Sequence, residues 1–445
     1  MLRFGYDFFD SKTNTILRPN GTRYNKNIIG EICQLYLPPW WRHLLERINE
    51  DYEINSVKKF SQNQYDEKWI YILEPLGDPR GWFGLYDDGQ ENKVKSFLHG
   101  ISPTALKQIK DNKAIIVVWY AQEGPLNYHL NVNILEEFHK ELQRLNINPR
   151  NFVYVVGNLR TKEDYKKLLS TKKIIYEGGK EKEITYENIE NINIIEFQSQ
   201  TKLEWSKKWN LAEFKPNKKI EKKFLCFNRE LSHPHRLFLL TLLQENKLLD
   251  YGLVSFNKIT KILTKIFFNN LRDWFGFGNK LIEQKLKYLE QIKPLSPSVI
   301  DVDEWETNHY DTSPSWPYDK TLFSLVSETH FAQKTLYLSE KIWKAMANNH
   351  IFILAAPYQT LHNIRERGYK TFSPYIDESY DNEKNPYERL KKIMIEVKKL
   401  CSLSEEECKE LILKTEEIVR YNRERLLNYD DDTISAFNEL KELIK

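Results

Sequence analysis

Between residues 113 and 156 the chain spells out a strand, a helix and a second strand with short joins. Ala114-Ile115-Ile116-Val117-Val118-Trp119 is a continuous apolar run, and a strand is apolar on both sides only where both faces of its sheet are covered. Leu135, Phe138, Leu142 and Leu145 then recur at helical spacing, and Phe152-Val153-Tyr154-Val155-Val156 repeats the buried-strand pattern. Strand, helix, strand is a βαβ unit, which predicts parallel sheet. Asn193-Ile194-Ile195-Glu196-Phe197 offers a third strand. Residues 1–110, by contrast, read as irregular, with the turn-rich aromatic stretches Pro38-Pro39-Trp40-Trp41 and Gly77-Asp78-Pro79-Arg80-Gly81-Trp82-Phe83.

After a Lys- and Trp-containing connector at about 205–222 the pattern restarts. Phe224-Leu225-Cys226-Phe227 reads as a strand, and 234–245 as a helix apolar nearly all round, hence buried. Strands follow at 252–256, 322–326 and 350–356, with a helix at 340–348 and a short one at 361–367 ended by Gly368. Leu390, Ile393, Met394, Val397 and Leu400 fit a helix template; Ser404 with Glu407 is a capping box opening the next helix, and 434–444 forms the last. The expected organisation is an α/β domain over 1–215, a second over 216–390, and helices over 391–445 packing back across both.

Lys+Arg of 66 against Asp+Glu of 63 gives a net charge of +3. That excludes binding to polyanions by bulk charge, although a local basic groove is compatible with it. No apolar stretch reaches the length of a membrane span, and Asp7 interrupts the start before a secretory signal forms. The four cysteines include no Cys-x-x-Cys pair, which predicts a reducing, cytoplasmic setting. Neither a Gly-x-Gly-x-x-Gly nor a Gly-x4-Gly-Lys-Ser/Thr phosphate loop is present. The ten histidines lack metal-ligand spacing, and Asp301-Val302-Asp303, though of Asp-x-Asp form, sits in a linker-like region.

Two segments carry candidate chemistry. The first is Asn228-Arg229-Glu230-Leu231-Ser232-His233-Pro234-His235-Arg236. It joins the carboxyl end of a strand to a helix N-terminus, where open α/β sheets bind ligands and where helices favour anions. Arg229 and Arg236 suit a diphosphate there, with Asn228 and His235 lining the site. The second runs from Glu328 through Leu336-Tyr337-Leu338-Ser339-Glu340-Lys341 to Ala345. Ser339 reads as an N-cap, leaving Lys341 in the first turn, where a cation opposes the helix dipole. A residue that breaks a local rule is a candidate for function.

This second segment resembles the nucleotide-binding stretch of the α-1,3-fucosyltransferase family and of exostosin-like glycosyltransferases, over about residues 322–372, with weaker similarity from 224 to 256. Thr329-His330 stands where that family has Asn-Ser after the first Glu, and Asn348-Asn349 and Ala355-Ala356 replace its glycines. Phe-Asn-Arg followed later by Ser-Glu-Lys is also similar to viral and phage glycosyltransferase-like chains. The resemblance implies two Rossmann-like domains facing a cleft (GT-B). It implies a nucleotide diphosphate sugar as co-substrate, no cofactor or metal, and an inverting transfer to a hydroxyl. It gives Glu328, Tyr337, Ser339, Glu340, Lys341 and Arg229 or Arg236 to the donor.

An inverting transfer needs a carboxylate to take the acceptor's proton. Glu123, following the 114–119 strand, is the first candidate, and Glu74, after Trp69-Ile70-Tyr71-Ile72-Leu73, the second; Asn158 would line the same cleft. The acceptor would be a glycan, a protein or a modified nucleic acid. Two alternatives stand beside this expectation. One is a phage-type transferase acting on modified DNA bases, with Trp40, Trp41, Trp82 and Arg80 at an extruded base. The other is a non-catalytic sugar- or nucleotide-binding protein of the same architecture.

Overall fold

Leu2 and Phe4 are buried while Arg3 between them is half-buried, the two-residue period of a strand packed on one face. They belong to β1 (Leu2–Tyr6), which pairs with β2 (Tyr52–Ser56) and β3 (Trp69–Leu73). The expectation of irregular structure over residues 1–110 is corrected here. β3 is itself an apolar run, but β1 and β2 escape a reading by such runs because β1 alternates and the edge strand β2 is half-buried throughout. Gly5 is required where it stands: a Cβ there would run into the indole of Trp69 on the neighbouring strand.

The structure, a computed structural model, describes residues 1–6, 9–10, 15–17, 23–25, 45, 49–73, 98, 101–120, 127–128, 132–170, 172–177, 180–185, 191–198, 209–273, 275–300, 314–332, 335–429 and 431–445. The chain divides into two units, Met1–Gln200 with Asp431–Lys445, and Thr201–Asp430. Each unit is an α/β layer structure on a parallel sheet. The segment drawn from sequence as a helical tail is thus shared between the two.

In the first unit, α1 (Pro103–Lys110) precedes β4 (Ala114–Tyr120). The expected βαβ unit follows as β4, α2 (Ile134–Leu145) and β5 (Phe152–Val156), then α3 (Thr161–Leu169) and β6 (Asn193–Glu196). The strand order is β6-β5-β4-β3-β1-β2, and every pairing is parallel. Both faces are covered, as the continuous apolar runs require. Ile116, Val118, Tyr154 and Val156 pack with Ile109 of α1, Phe138 and Leu142 of α2 and Tyr165 of α3. Ile115, Val117, Val153 and Val155 point the other way, into a cluster with Phe437, Leu440 and Ile444 of the last helix, Asp431–Ile444.

The second unit contains β7 (Lys222–Phe227), α4 (Pro234–Glu245), β8 (Gly252–Ser255), α5 (Lys261–Asp273), α6 (Asn279–Ile292), β9 (Thr321–Ser327), α7 (Glu340–Ala347), β10 (Ile351–Ala355) and α8 (Thr360–Glu366). Then come α9 (Pro386–Cys401) and α10 (Glu405–Asn428); the helix of the first unit's sheet is α11 (Asp431–Ile444). α4 is apolar on nearly every side because it is enclosed: Leu237, Phe238, Leu239, Leu240 and Leu243 are all buried. The capping box of α10 is formed, Ser404 and Glu407 exchanging side-chain bonds with each other's backbone. Gly368 closes α8 at a φ of +79°, a conformation that side chains rarely adopt.

The sheet order is β8-β7-β9-β10, all parallel. From β7 the chain steps outward to β8 and returns on the other side as β9. Strand order therefore reverses between β7 and β9, and the carboxyl ends of those two strands flank the crevice where sheets of this kind take ligands.

Candidate functional site

Four buried polar atoms have no hydrogen-bond partner among the described residues and sit together in the topology. They are Asn228 Oδ1, just past β7, Ser255 Oγ at the end of β8, Ser327 Oγ at the end of β9, and Glu328 Oε1 just past it. All four residues are at most 1% exposed. Folded proteins seldom leave such atoms unpaired, since each forfeits its water without replacement. Here they line the carboxyl edge of three adjacent strands, at the point of reversal.

The loops above this edge are tied to one another. The Asn228 N–H donates to the Ser255 carbonyl at 3.0 Å, and its side-chain NH2 to the Arg236 carbonyl at 2.9 Å. Arg236, 3% exposed, donates from Nη1 to the Glu230 carbonyl at 3.0 Å and reaches the Glu328 carbonyl from Nη2 at 3.5 Å. His235 Nε2 lies 2.7 Å from that same carbonyl, so it carries the proton and donates, and its ring stacks on Phe331. Arg236 and His235 thus brace the loop after β7 against the loop after β9. Arg229 is half-buried, and its carbonyl accepts from Asn257 N–H at 3.2 Å.

On the other side, the Glu328 N–H continues the β9–β10 pairing to Ala355. Its Oε2 accepts both the N–H and the hydroxyl of Ser339. Ser339 caps α7 as the sequence predicts, taking the Lys341 N–H at 3.3 Å. The Lys341 ammonium lies 3.2 Å from Ser339 Oγ and 2.7 Å from Glu340 Oε1. Lys341 and Glu340 remain 20% and 18% exposed. Tyr337, two residues before the cap, is buried.

The electrostatics follow from burial in a cationic surrounding. Burial pushes the Glu328 carboxyl above its ordinary 4.5, against the pull of the Lys341 charge and the Ser339 bonds. Burial also opposes the charge on Glu340. The Lys341 ammonium, by its charge and its hydrogen bond, and Lys344 override that and hold this carboxyl down at about 2. Burial lowers His233 to about 3, with the Arg236 and Lys341 charges and His330 adding to it. His235 is lowered likewise by burial, Arg236 and His233. Burial above all, with the Arg236 charge second, keeps both imidazoles neutral.

Asn228, His235, Arg236, Glu328, Ser339, Glu340 and Lys341 are therefore brought together by the second unit. Asn158 belongs to the first unit, where its Oδ1 accepts from Arg160 N–H and its carbonyl accepts from Thr161 at the start of α3. Glu74, Glu123, Trp40, Trp41, Arg80, Trp82 and the Asp301-Val302-Asp303 motif lie outside the described residues. Among the described residues no group of His, Cys, Asp and Glu is placed to hold a metal ion. No helix among them is long and apolar enough to cross a membrane. Ser255 and Ser327 were not among the candidates from sequence. Their signal is a hydroxyl ending an otherwise apolar parallel strand. No family model and no curated protein sequence matches the chain.

Proposed function

We propose that the chain is a glycosyltransferase of the GT-B type, taking a nucleotide diphosphate sugar on its second unit and passing the sugar with inversion to an acceptor hydroxyl. The observation that carries this reading is the row of four buried polar atoms, unpartnered among the described residues, at the reversal of strand order between β7 and β9. Two carboxamide or carboxyl oxygens and two hydroxyls suit a ligand rich in hydroxyl and amino groups, as a ribose, a base or a sugar is. The cations Arg236 and Lys341, whose charges both reach His233, suit the diphosphate that would join them.

In this mechanism the acceptor oxygen attacks the sugar C1 in line as the bond from C1 to the diphosphate oxygen breaks. The bonding pair leaves with the diphosphate, and Lys341 and Arg229 stabilise the charge that develops on it. Arg236 contributes as a fixed cation held by main-chain carbonyls. The acceptor's proton passes to a carboxylate, Glu123 in the leading assignment and Glu74 in the second.

The test is a melting-temperature screen against nucleotide sugars and free nucleotides, since a ligand at 100 times its Kd stabilises by about 2.7 kcal/mol. Transfer from the stabilising donor to an acceptor panel then follows. A shift with the matching donor and turnover support the reading. A shift without hydrolysis or transfer leaves a binding protein, and no shift with any nucleotide removes the assignment.

A further inference from the structure

Helix α5 presents two different outer faces. Phe267 and Leu271 are buried, whereas Ile262 is 72% exposed and Ile266 36%. At about 100° per residue the exposed isoleucines fall within one sector of roughly 40°, about 140° round the helix from the buried pair. Lys261, Lys265 and Arg272 fall in another sector of about 40°, next to the isoleucines. Leu295 and Val299, also exposed, lie in the segment bonded to the approach of α5: Ile259 N–H donates to Ser296 Oγ, and Phe256 pairs with Ser298. Single exposed aliphatics are ordinary; Ile262 and Ile266 share one face of α5, and Leu295 and Val299 lie on the segment bonded to its approach.

Between Asp250 and Asp273 the charges are of one sign. From Tyr251 to Arg272 the sequence holds Lys258, Lys261, Lys265 and Arg272 and no acidic residue. In α10, by comparison, Lys409 and Lys414 each find a carboxylate one turn away, in Glu405 and Glu410. Lys258, Lys261 and Lys265 make no ion pair among the described residues.

We propose that this face of α5 docks on an anionic lipid surface, the isoleucines entering the headgroup boundary and the lysines meeting lipid phosphates and carboxylates. A bilayer surface satisfies both halves of the pattern at once. A nucleic acid would answer the lysines and leave Ile262 and Ile266 in water. The proposal stands on α5 alone and is independent of what the carboxyl edge of the sheet binds.

The test is cosedimentation of the full chain with vesicles of phosphatidylcholine alone and of phosphatidylcholine mixed with phosphatidylserine. Retention on the mixed vesicles, weak retention on phosphatidylcholine, and release by salt are expected. Lys261→Gln with Lys265→Gln should weaken that binding roughly 25-fold, about fivefold for each lysine. Ile262→Ser with Ile266→Ser should weaken it at least about tenfold. All these side chains are at the surface, so both variants should melt as the parent does. The proposal is overturned by equal retention on both vesicle types or by none on the mixed vesicles. It is overturned equally by an isoleucine variant that binds like the parent while a duplex oligonucleotide competes.

Discussion

Ser339 gives both its amide N–H and its hydroxyl to one carboxylate oxygen of Glu328, and the second oxygen of that carboxylate is buried with no partner among the described residues. Glu328 is thus positioned from one side only, its free oxygen on the edge shared with Asn228, Ser255 and Ser327. The raised carboxyl has a consequence for pH. A folded-state pKa above the unfolded value means that the native protein binds the proton more tightly. This group's contribution is therefore fully present below about 4.5 and is lost as pH rises through the raised folded value. Melting curves of Glu328→Gln, whose amide never ionises, should lack that component, so the variant should gain on the parent as pH rises from 4.5 towards neutrality. Parallel pH profiles for the two proteins would contradict a raised carboxyl.

Ser327→Ala removes a buried hydroxyl that has no hydrogen-bond partner among the described residues. The ligand-free variant should melt no lower than the parent, because an unsatisfied group costs about 1–3 kcal/mol. Its affinity for the stabilising nucleotide sugar should fall about 5- to 20-fold. Calorimetric titration beside thermal melting reads both effects. A variant that melts lower with affinity unchanged would give Ser327 a purely structural role.

Lys341→Ala should lower kcat/KM for transfer at least about tenfold if its ammonium meets the leaving diphosphate. Removing Lys341 also releases Glu340 from the charge that holds it near 2, so the variant's activity should become sensitive to pH in the carboxylate range. Lys341→Arg should restore part of the rate. Equal loss in both variants with donor affinity intact would argue against charge as the reason.

Glu123→Gln keeps shape but cannot accept a proton. Transfer should drop by a factor of roughly 10² to 10⁴ while the donor Kd hardly changes. Near-parental transfer passes the role of base to Glu74, and loss of donor binding places Glu123 with the nucleotide instead.

Lys218 is the second group whose titration is displaced into an accessible range. Burial lowers its ammonium to about 7, Asp319 partly opposing and Lys215 adding to the shift, and Nζ donates to the Tyr318 carbonyl at 2.9 Å. The unfolded chain therefore binds more protons than the native one between pH 7 and 10.5, and stability from this group rises with pH across that window. Lys218→Met should flatten the slope in a denaturant titration series. An unchanged slope would put the amine at its ordinary value.

The second unit was largely legible because its strands are unbroken apolar runs, and the cap at Ser339 and the box at Ser404 and Glu407 announce their helices by spacing alone. β1 and β2 were not. Leu2 and Phe4 alternate over too few residues, and their partners lie some fifty and seventy positions away. The same limit applies at the site. Glu328, Ser339 and Lys341 stand close together in sequence, and a local pattern finds them. That Arg236 and His235 would meet the Glu328 carbonyl depends on β7 and β9 being neighbours, and Ser255 and Ser327 gain significance only when the strands that they end are seen side by side.

The return of α11 to the first sheet sets an order of events during synthesis. Ile115, Val117, Val153, Val155 and Phe197 find their cover in Phe437, Leu440 and Ile444, which leave the ribosome only after the whole of Thr201–Asp430 has been made. At about 5–20 residues per second that interval lasts roughly 10–50 s. The later unit has all of its own chain in hand first, while the earlier one waits without the cover that these three side chains give. For a newborn chain that uncovered part of the sheet is where a chaperone would hold it and where aggregation would begin.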